Sequence, residues 1–172
     1  ENGGKYYDYI PATSFYVNVD SMQVMKNKVI SVRDTARLTK TIKWTIGRSY
    51  LTKNDLMVLD LIAHNNWKRP IYFATTLASS SYLNMKEFMQ LEGYAYRLLP
   101  IKVSQGDDGF ANTDVMYDNM LKKMAWRGMD NPNVYYDSET YLKVPIITAR
   151  LAFLRLADQL VREEKKTKAK EV

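Results

Sequence analysis

The residue types able to do chemistry in this chain of 172 residues are carboxylates, cations and tyrosines, with one histidine, His64, and no cysteine. The missing cysteine excludes disulfides, thiolate zinc sites and a cysteine nucleophile. A histidine metal site needs partners at ligand spacing, and His64 has neither an H-x-x-x-H partner nor an adjacent carboxylate cluster. Near a helix end it is more simply a dipole partner or a surface residue. Asp60, Glu92, Asp107 and Asp114 are candidate acid–base carboxylates, but acid–base chemistry needs a paired geometry that no local spacing here supplies. Asp107-Asp108 lies between glycines without the D-x-D-x-D-G pattern and late Glu of a calcium loop. Ser79-Ser80-Ser81 lacks the G-x-S-x-G of a nucleophile elbow, and no G-x-G-x-x-G or phosphate loop occurs. The sequence therefore nominates no catalytic residue, no metal and no cofactor.

Binding chemistry is better represented, in two stretches. The first is Asn65–Ala74, N-N-W-K-R-P-I-Y-F-A, which supplies Asn66, Trp67, Lys68, Arg69 and Tyr72. The second, Q-L-E-G-Y-A-Y-R-L-L-P-I-K, supplies Glu92, Tyr96 and Arg97. Arginine grips phosphate or carboxylate through two parallel hydrogen bonds, and amphipathic tyrosine rings contact sugars and peptides. Each has a plainer reading. Trp67 sits where a helix turns into a strand and is expected to plug the core. Lys68 and Arg69 are expected to be solvated, or Arg69 to pair with Asp60 or Glu92. The 13 tyrosines equally suit a sheet.

Several elements must position these residues. Ser14–Asp20 reads as a strand with Phe15, Val17 and Val19 on one face, and Val29–Val32 is a short apolar run. Lys40–Ile46 alternates Ile42, Trp44 and Ile46 with Thr41, Lys43 and Thr45, the pattern of a half-buried strand. Thr52 and Asp55 predict a capping box opening a helix to about His64, with Leu56, Leu59, Ile62 and Ala63 in one stripe and the helix largely covered. Asn65 suits its C-cap. Pro70 ends the helical region, and Ile71–Thr76 reads as a strand. Asn84 is expected to cap a helix over Met85–Gln90, broken by Gly93. Tyr94–Lys102 reads as a strand, Ser104–Ala111 as a loop, and Asp114 to about Arg127 as a helix capped by Thr113. Ser138 or Thr140 leads into the longest helix, with Pro145 in its first turn.

The fold class expected from this order is α/β. A mixed, partly parallel sheet is flanked by helices, with a long C-terminal helix. Strands 40–46, 71–76 and 94–101 are expected to pair in parallel through right-handed helical crossovers. Residues 1–172 are expected to form a single soluble domain, with 1–13 an extended arm and 141–172 the C-terminal helix and charged tail. No apolar run reaches the roughly 18 residues of a membrane span. The opening Glu1-Asn2-Gly3-Gly4 is expected to be an internal point of a longer protein. Net charge is +6, much of it in the tail from Arg162 to Lys170, without a nucleic-acid motif, so no nucleic-acid partner is expected.

The stretch N-N-W-K-R-P-I-Y-F-A, preceded by T-K-N-D-L-M-V-L-D-L-I-A and followed by Q-L-E-G-Y-A-Y-R-L-L-P-I-K, carries a family resemblance over roughly Ser49–Lys102. It extends more loosely to D-V-M-Y-D-N-M-L-K-K-M-A-W-R-G-M and the last helix. The chain resembles the soluble domain of a bacterial multi-pass membrane-protein family of unknown function, related to protein O-mannosyltransferases of the lipid-linked-sugar type. The resemblance implies a non-catalytic extracytoplasmic, periplasmic domain whose parent keeps its catalytic acidic residue in a membrane loop. It implies as partners the parent's transmembrane portion and a glycan, lipid-linked sugar or acceptor peptide. Two other readings stand beside it: a protein-interaction module using a tyrosine-rich surface and the C-terminal helix, and a self-contained carbohydrate-active enzyme. An exposed apolar last helix favours the former, and buried carboxylates in a deep pocket favour the latter.

Overall fold

The structure is a computed structural model that describes residues 14–48, 50–102, 110–126, 128, 131–135, 137–139 and 145–172. The expected arm at 1–13, most of the loop from Ser104 and the Thr140 start of the last helix lie outside them.

Strands β1 (Ser14–Asn18) and β2 (Thr41–Thr45) form an antiparallel pair, with Phe15 opposite Trp44 and Val17 opposite Ile42. Ile42, Trp44 and Ile46 are buried, as their alternation predicts, and Phe15 stacks on Trp44 at 5.8 Å. Helix α1 (Ser21–Lys26) and a 3₁₀ segment (Val32–Arg37) fill the connection. The run Val29–Val32 makes no strand. Leu38 instead bridges to Ile101, which ties the first sheet's connection to the second sheet.

Helix α2 (Lys53–Asn65) begins with the expected capping box. Thr52 Oγ1 accepts from the Asp55 amide at 3.3 Å, and Asp55 Oδ2 accepts from the Thr52 amide at 2.7 Å. Arg48 pairs with the same carboxylate at 2.7 Å. The expectation that α2 is largely covered fails. Only Asp55 and Ile62 are buried, and Leu56, Met57 and Leu61 are exposed. The left-handed C-cap is Asn66 rather than Asn65.

The second sheet has the order β3 (Tyr72–Ala74), β5 (Ala95–Leu98), β4 (Met89–Leu91), β6 (Phe110–Ala111). It is mixed, as expected, but its parallel pair is β4 with β6. The expected parallel pairing of strands at 71–76 and 94–101 is corrected: β3 and β5 run antiparallel, and β2 belongs to the other sheet. The cause is the segment between them. Residues 85–90 do not form a helix. A 3₁₀ turn at Lys86–Phe88 delivers the chain into β4, which pairs antiparallel with β5. Phe88, Met89, Gln90 and Leu91 are all buried, and such continuous burial satisfies a central strand as well as a helix. Gly93 turns the β4–β5 hairpin at φ +127°, where a Cβ would meet Met124 Cε at 2.9 Å.

Asn112, not Thr113, caps α3 (Thr113–Tyr117), which continues as a π-helical turn through Lys123. The longest helix is α4 (Ile147–Arg162), followed by α5 (Lys166–Glu171). Ala149, Ala152, Leu156 and Leu160 of α4 are buried, while Met85, Met89, Met116 and Met120 fill the same core. Methionine fits such irregular contacts between a short sheet and broken helices.

Candidate functional site

The pairing register fixes one face of the second sheet. Tyr72 lies opposite Arg97, Arg97 opposite Gln90, and Gln90 opposite Phe110, so one row crosses all four strands. Side chains two apart on a strand share a face, which adds Glu92 beside Gln90. Glu92 Oε2 accepts from Tyr72 Oη at 2.7 Å, and Oε1 accepts from Gln90 Nε2 at 2.8 Å. Arg97 Nη1 stands 3.6 Å from Oε1, an ion pair longer than a hydrogen bond, and Arg97 Nε is buried without an acceptor. Asn112 Nδ2 donates to Gln90 Oε1 at 3.1 Å, and Asn119 Nδ2 donates to the Glu92 carbonyl at 2.8 Å. Burial raises the Tyr72 hydroxyl pKa, and its hydrogen bond to Glu92 raises it further.

Asn112 carries this network to a cleft of about 400 Å³. One wall is the 3₁₀ segment, where Arg37 pairs with Asp34 at 3.3 Å and donates to the Lys102 carbonyl at 2.7 Å. The opposite wall holds Thr113, Asp114, Glu163 and Lys165. Thr113 Oγ1 donates to Glu163 Oε2 at 2.7 Å, and Lys165 Nζ reaches Glu163 at 2.8 Å and Asp114 at 3.2 Å. Phe110, Ile101 and Val115 give the cleft an apolar edge. Burial pushes the Glu163 carboxyl up, but hydrogen bonds from Lys165, Thr113 and Gln159 together outweigh it and leave the pKa lowered. Lys165 likewise lowers Asp114, and Glu163 in turn raises the Lys165 ammonium. Both carboxylates are therefore ionised at neutral pH, poor proton donors and weakened bases.

Of the residues nominated from sequence, Tyr72, Glu92 and Arg97 come together in this network. Tyr96 does not. It points to the other face, where its hydroxyl accepts from Arg155 at 2.6 Å. Trp67 is buried, in line with its expected core role. Its φ of +58° follows +44° at Asn66, two left-handed residues in a row, and Asn27 Nδ2 donates to the Trp67 carbonyl at 2.9 Å. Asn66, Lys68 and Arg69 are exposed on the corner. Arg69 pairs with neither Asp60 nor Glu92: Asn65 holds its backbone, through the carbonyl at 2.7 Å and the amide at 3.3 Å. Gln90, Asn112, Thr113, Glu163 and Lys165 escaped the sequence reading. The Q-L-E alternation could have placed Gln90 beside Glu92, had 85–90 been assigned to a strand.

His64 is exposed, with Nδ1 3.1 Å from Asp60 Oδ1, and among the described residues no group of three possible metal ligands occurs. Among them, too, no helix is long and apolar enough to cross a membrane.

Residues 1–118 match the family model described as TMEM260-associated domain 2. The chain belongs to this family. No curated protein and no solved structure matches it. Membership is consistent with an accessory domain of a membrane protein. The matched residues include both sheets and the Glu92 network apart from Asn119, whereas Glu163, Lys165 and the whole of α4 lie beyond them.

Proposed function

We propose that the chain is a non-catalytic extracytoplasmic domain of a multi-pass, glycosyltransferase-like membrane protein related to the protein O-mannosyltransferases, on the periplasmic face of a bacterial inner membrane. It assists the parent's reaction by holding the acceptor and by docking against the parent's transmembrane portion. The observation that carries this reading is the cleft at Asn112–Thr113. Its wall offers donors, acceptors and an apolar edge, while Asp114 and Glu163 are kept ionised by their partners. Such a surface suits hydrogen bonding to a polar chain or glycan better than proton transfer. The test incubates the isolated chain with lipid-linked sugar donors and an acceptor peptide. No sugar transfer is expected, and backbone resonances at Gln90, Asn112 and Thr113 should shift as the peptide is added. Robust turnover would overturn the non-catalytic role, and unmoved resonances the acceptor role.

A second reading, a protein-interaction module, is favoured by one observation. Helix α4 leaves Ile147, Leu151, Leu154 and Val161 exposed.

A further inference from the structure

Helix α4 has two apolar faces. Ala149, Ala152, Leu156 and Leu160 lie in the core. On the opposite side Ile147 is 49%, Leu151 55%, Leu154 64% and Val161 58% exposed. At 3.6 residues per turn these four fall within an arc of about 80°. Cations flank the arc on both sides, Arg150 on one and Arg162 on the other. Lys166 and Lys170 of α5 follow, both exposed. Asp158 lies inside the arc and is tied to Arg162 at 2.9 Å, so the pair enters any contact as a neutral unit.

Helix α2 is the internal contrast. Its exposed Leu56, Met57 and Leu61 are split by Lys53, Asp60 and His64, which occupy the middle of the outward face. Three polar residues part its exposed apolar side chains, against the single Asp158 within the α4 arc.

We infer that the outward face of α4 docks on an anionic lipid bilayer surface, its four apolar side chains entering the headgroup–acyl boundary and Arg150 meeting lipid phosphates. An apolar arc with flanking cations is the pattern that lies in a bilayer interface, and the one polar residue inside this arc, Asp158, has its charge offset by Arg162. Phosphates at the surface attract each nearby Lys or Arg, and the flanking arginines reach past the apolar face. A second copy fits less well. Two such faces would bring like-charged flanks together, and four side chains fall short of the roughly 800 Å² per partner of a standard interface. This inference goes beyond both readings, since it assigns the exposed face of α4 to a lipid surface rather than to a protein, and it asks nothing of the cleft.

The experiment is co-sedimentation of the chain with phosphatidylglycerol vesicles and, separately, phosphatidylcholine vesicles. The chain should partition onto phosphatidylglycerol, more weakly as salt is raised, and far less onto phosphatidylcholine. Leu151→Asp/Leu154→Asp should reduce the partition coefficient at least about tenfold. Leu61→Asp on α2 should leave it unchanged. Circular dichroism checks that each variant folds. Should the leucine pair disturb folding, Arg150→Glu/Arg162→Glu must lower phosphatidylglycerol binding by a similar factor. Failure to bind phosphatidylglycerol overturns the inference, as does equal binding by the variants or an equal loss with Leu61→Asp. A dimer that the leucine pair dissolves, with no vesicle binding, would assign the face to a second copy. Cleft resonances moved by peptide would stand in any of these cases.

Discussion

Glu92 and Glu163 are both glutamates gripped by several donors, and they belong to opposite kinds of site. Glu92 lies on a sheet face with its side chain 6% exposed, held by Tyr72, Gln90 and the more distant Arg97. Glu163 stands on a cleft wall at 27%, held by Thr113, Gln159 and Lys165. Water reaches the second carboxylate more readily than the first, although Tyr72 on Glu92 is itself 47% exposed. The buried network therefore fixes the β3–β5–β4 register, whereas the open one can exchange its partners for a ligand. Similar bond counts conceal different roles, and solvent access separates them.

Trp67→Ala is expected to have the largest effect, about 3–5 kcal/mol in a chemical melt. Trp67 fills the corner that launches β3 and hence places Tyr72 on Glu92. Its left-handed backbone is sustained by that packing and by Asn27. An unchanged melt would show that the corner does not set the buried network, and would promote Trp67 to a ligand contact.

Next come the glutamates themselves. Glu92→Ala should cost about 3 kcal/mol, because Arg97, Tyr72 and Gln90 all lose a buried partner. Glu163→Ala should cost about 1 kcal/mol, since Lys165 reaches water and only Thr113 among its partners is buried. Equal losses at the two positions would erase the distinction between them.

Acidity sharpens it further, because Tyr72 in one network and Glu163 in the other titrate at opposite ends of the pH scale. Asp114 and Glu163 have folded pKa values below their ordinary ones. Their contribution is present above the unfolded values and lost as pH falls through the folded ones. Tyr72 has a raised folded pKa. Its contribution is full below the ordinary tyrosine value, about 10, and is lost as pH rises through the folded one. Melts against pH should show Glu163→Gln flattening the acid limb and Tyr72→Phe flattening the alkaline limb. A swap of those effects would reverse the assignment.

How much of this was legible from residues alone follows the range of the interactions. The capping box at Thr52–Asp55 and the alternation Ile42–Trp44–Ile46 are local, and both appear as expected. The antiparallel β3–β5 pairing and the β4 strand depend on a partner far along the chain, and 85–90 satisfies helical spacing as readily as strand burial. The same holds within the site. Tyr72 and Glu92 could be nominated as polar residues beside strands, but Glu163 and Lys165 meet Thr113 across some fifty positions. Tyr96 neighbours Arg97 in sequence, yet the two-residue period of a strand sends neighbours to opposite faces.

The smallest effect is expected at the corner's own cations. Lys68 and Arg69 are exposed, and among the described residues neither side chain makes an ion pair or hydrogen bond. The turn is held instead by Asn65 on the Arg69 backbone and by Asn27 on the Trp67 carbonyl, contacts that a truncated side chain leaves in place. Lys68→Ala/Arg69→Ala should therefore shift a melt by less than about 0.5 kcal/mol, the ordinary range for surface substitutions. A larger loss would mean that these charges join the structural side of the comparison with Trp67. If stability holds while the parent protein's activity or docking falls, they join the cleft as contact residues, gripping a phosphate or carboxylate that the fold itself does not supply. Intact stability with intact function would leave the corner important for Trp67 and Pro70 alone.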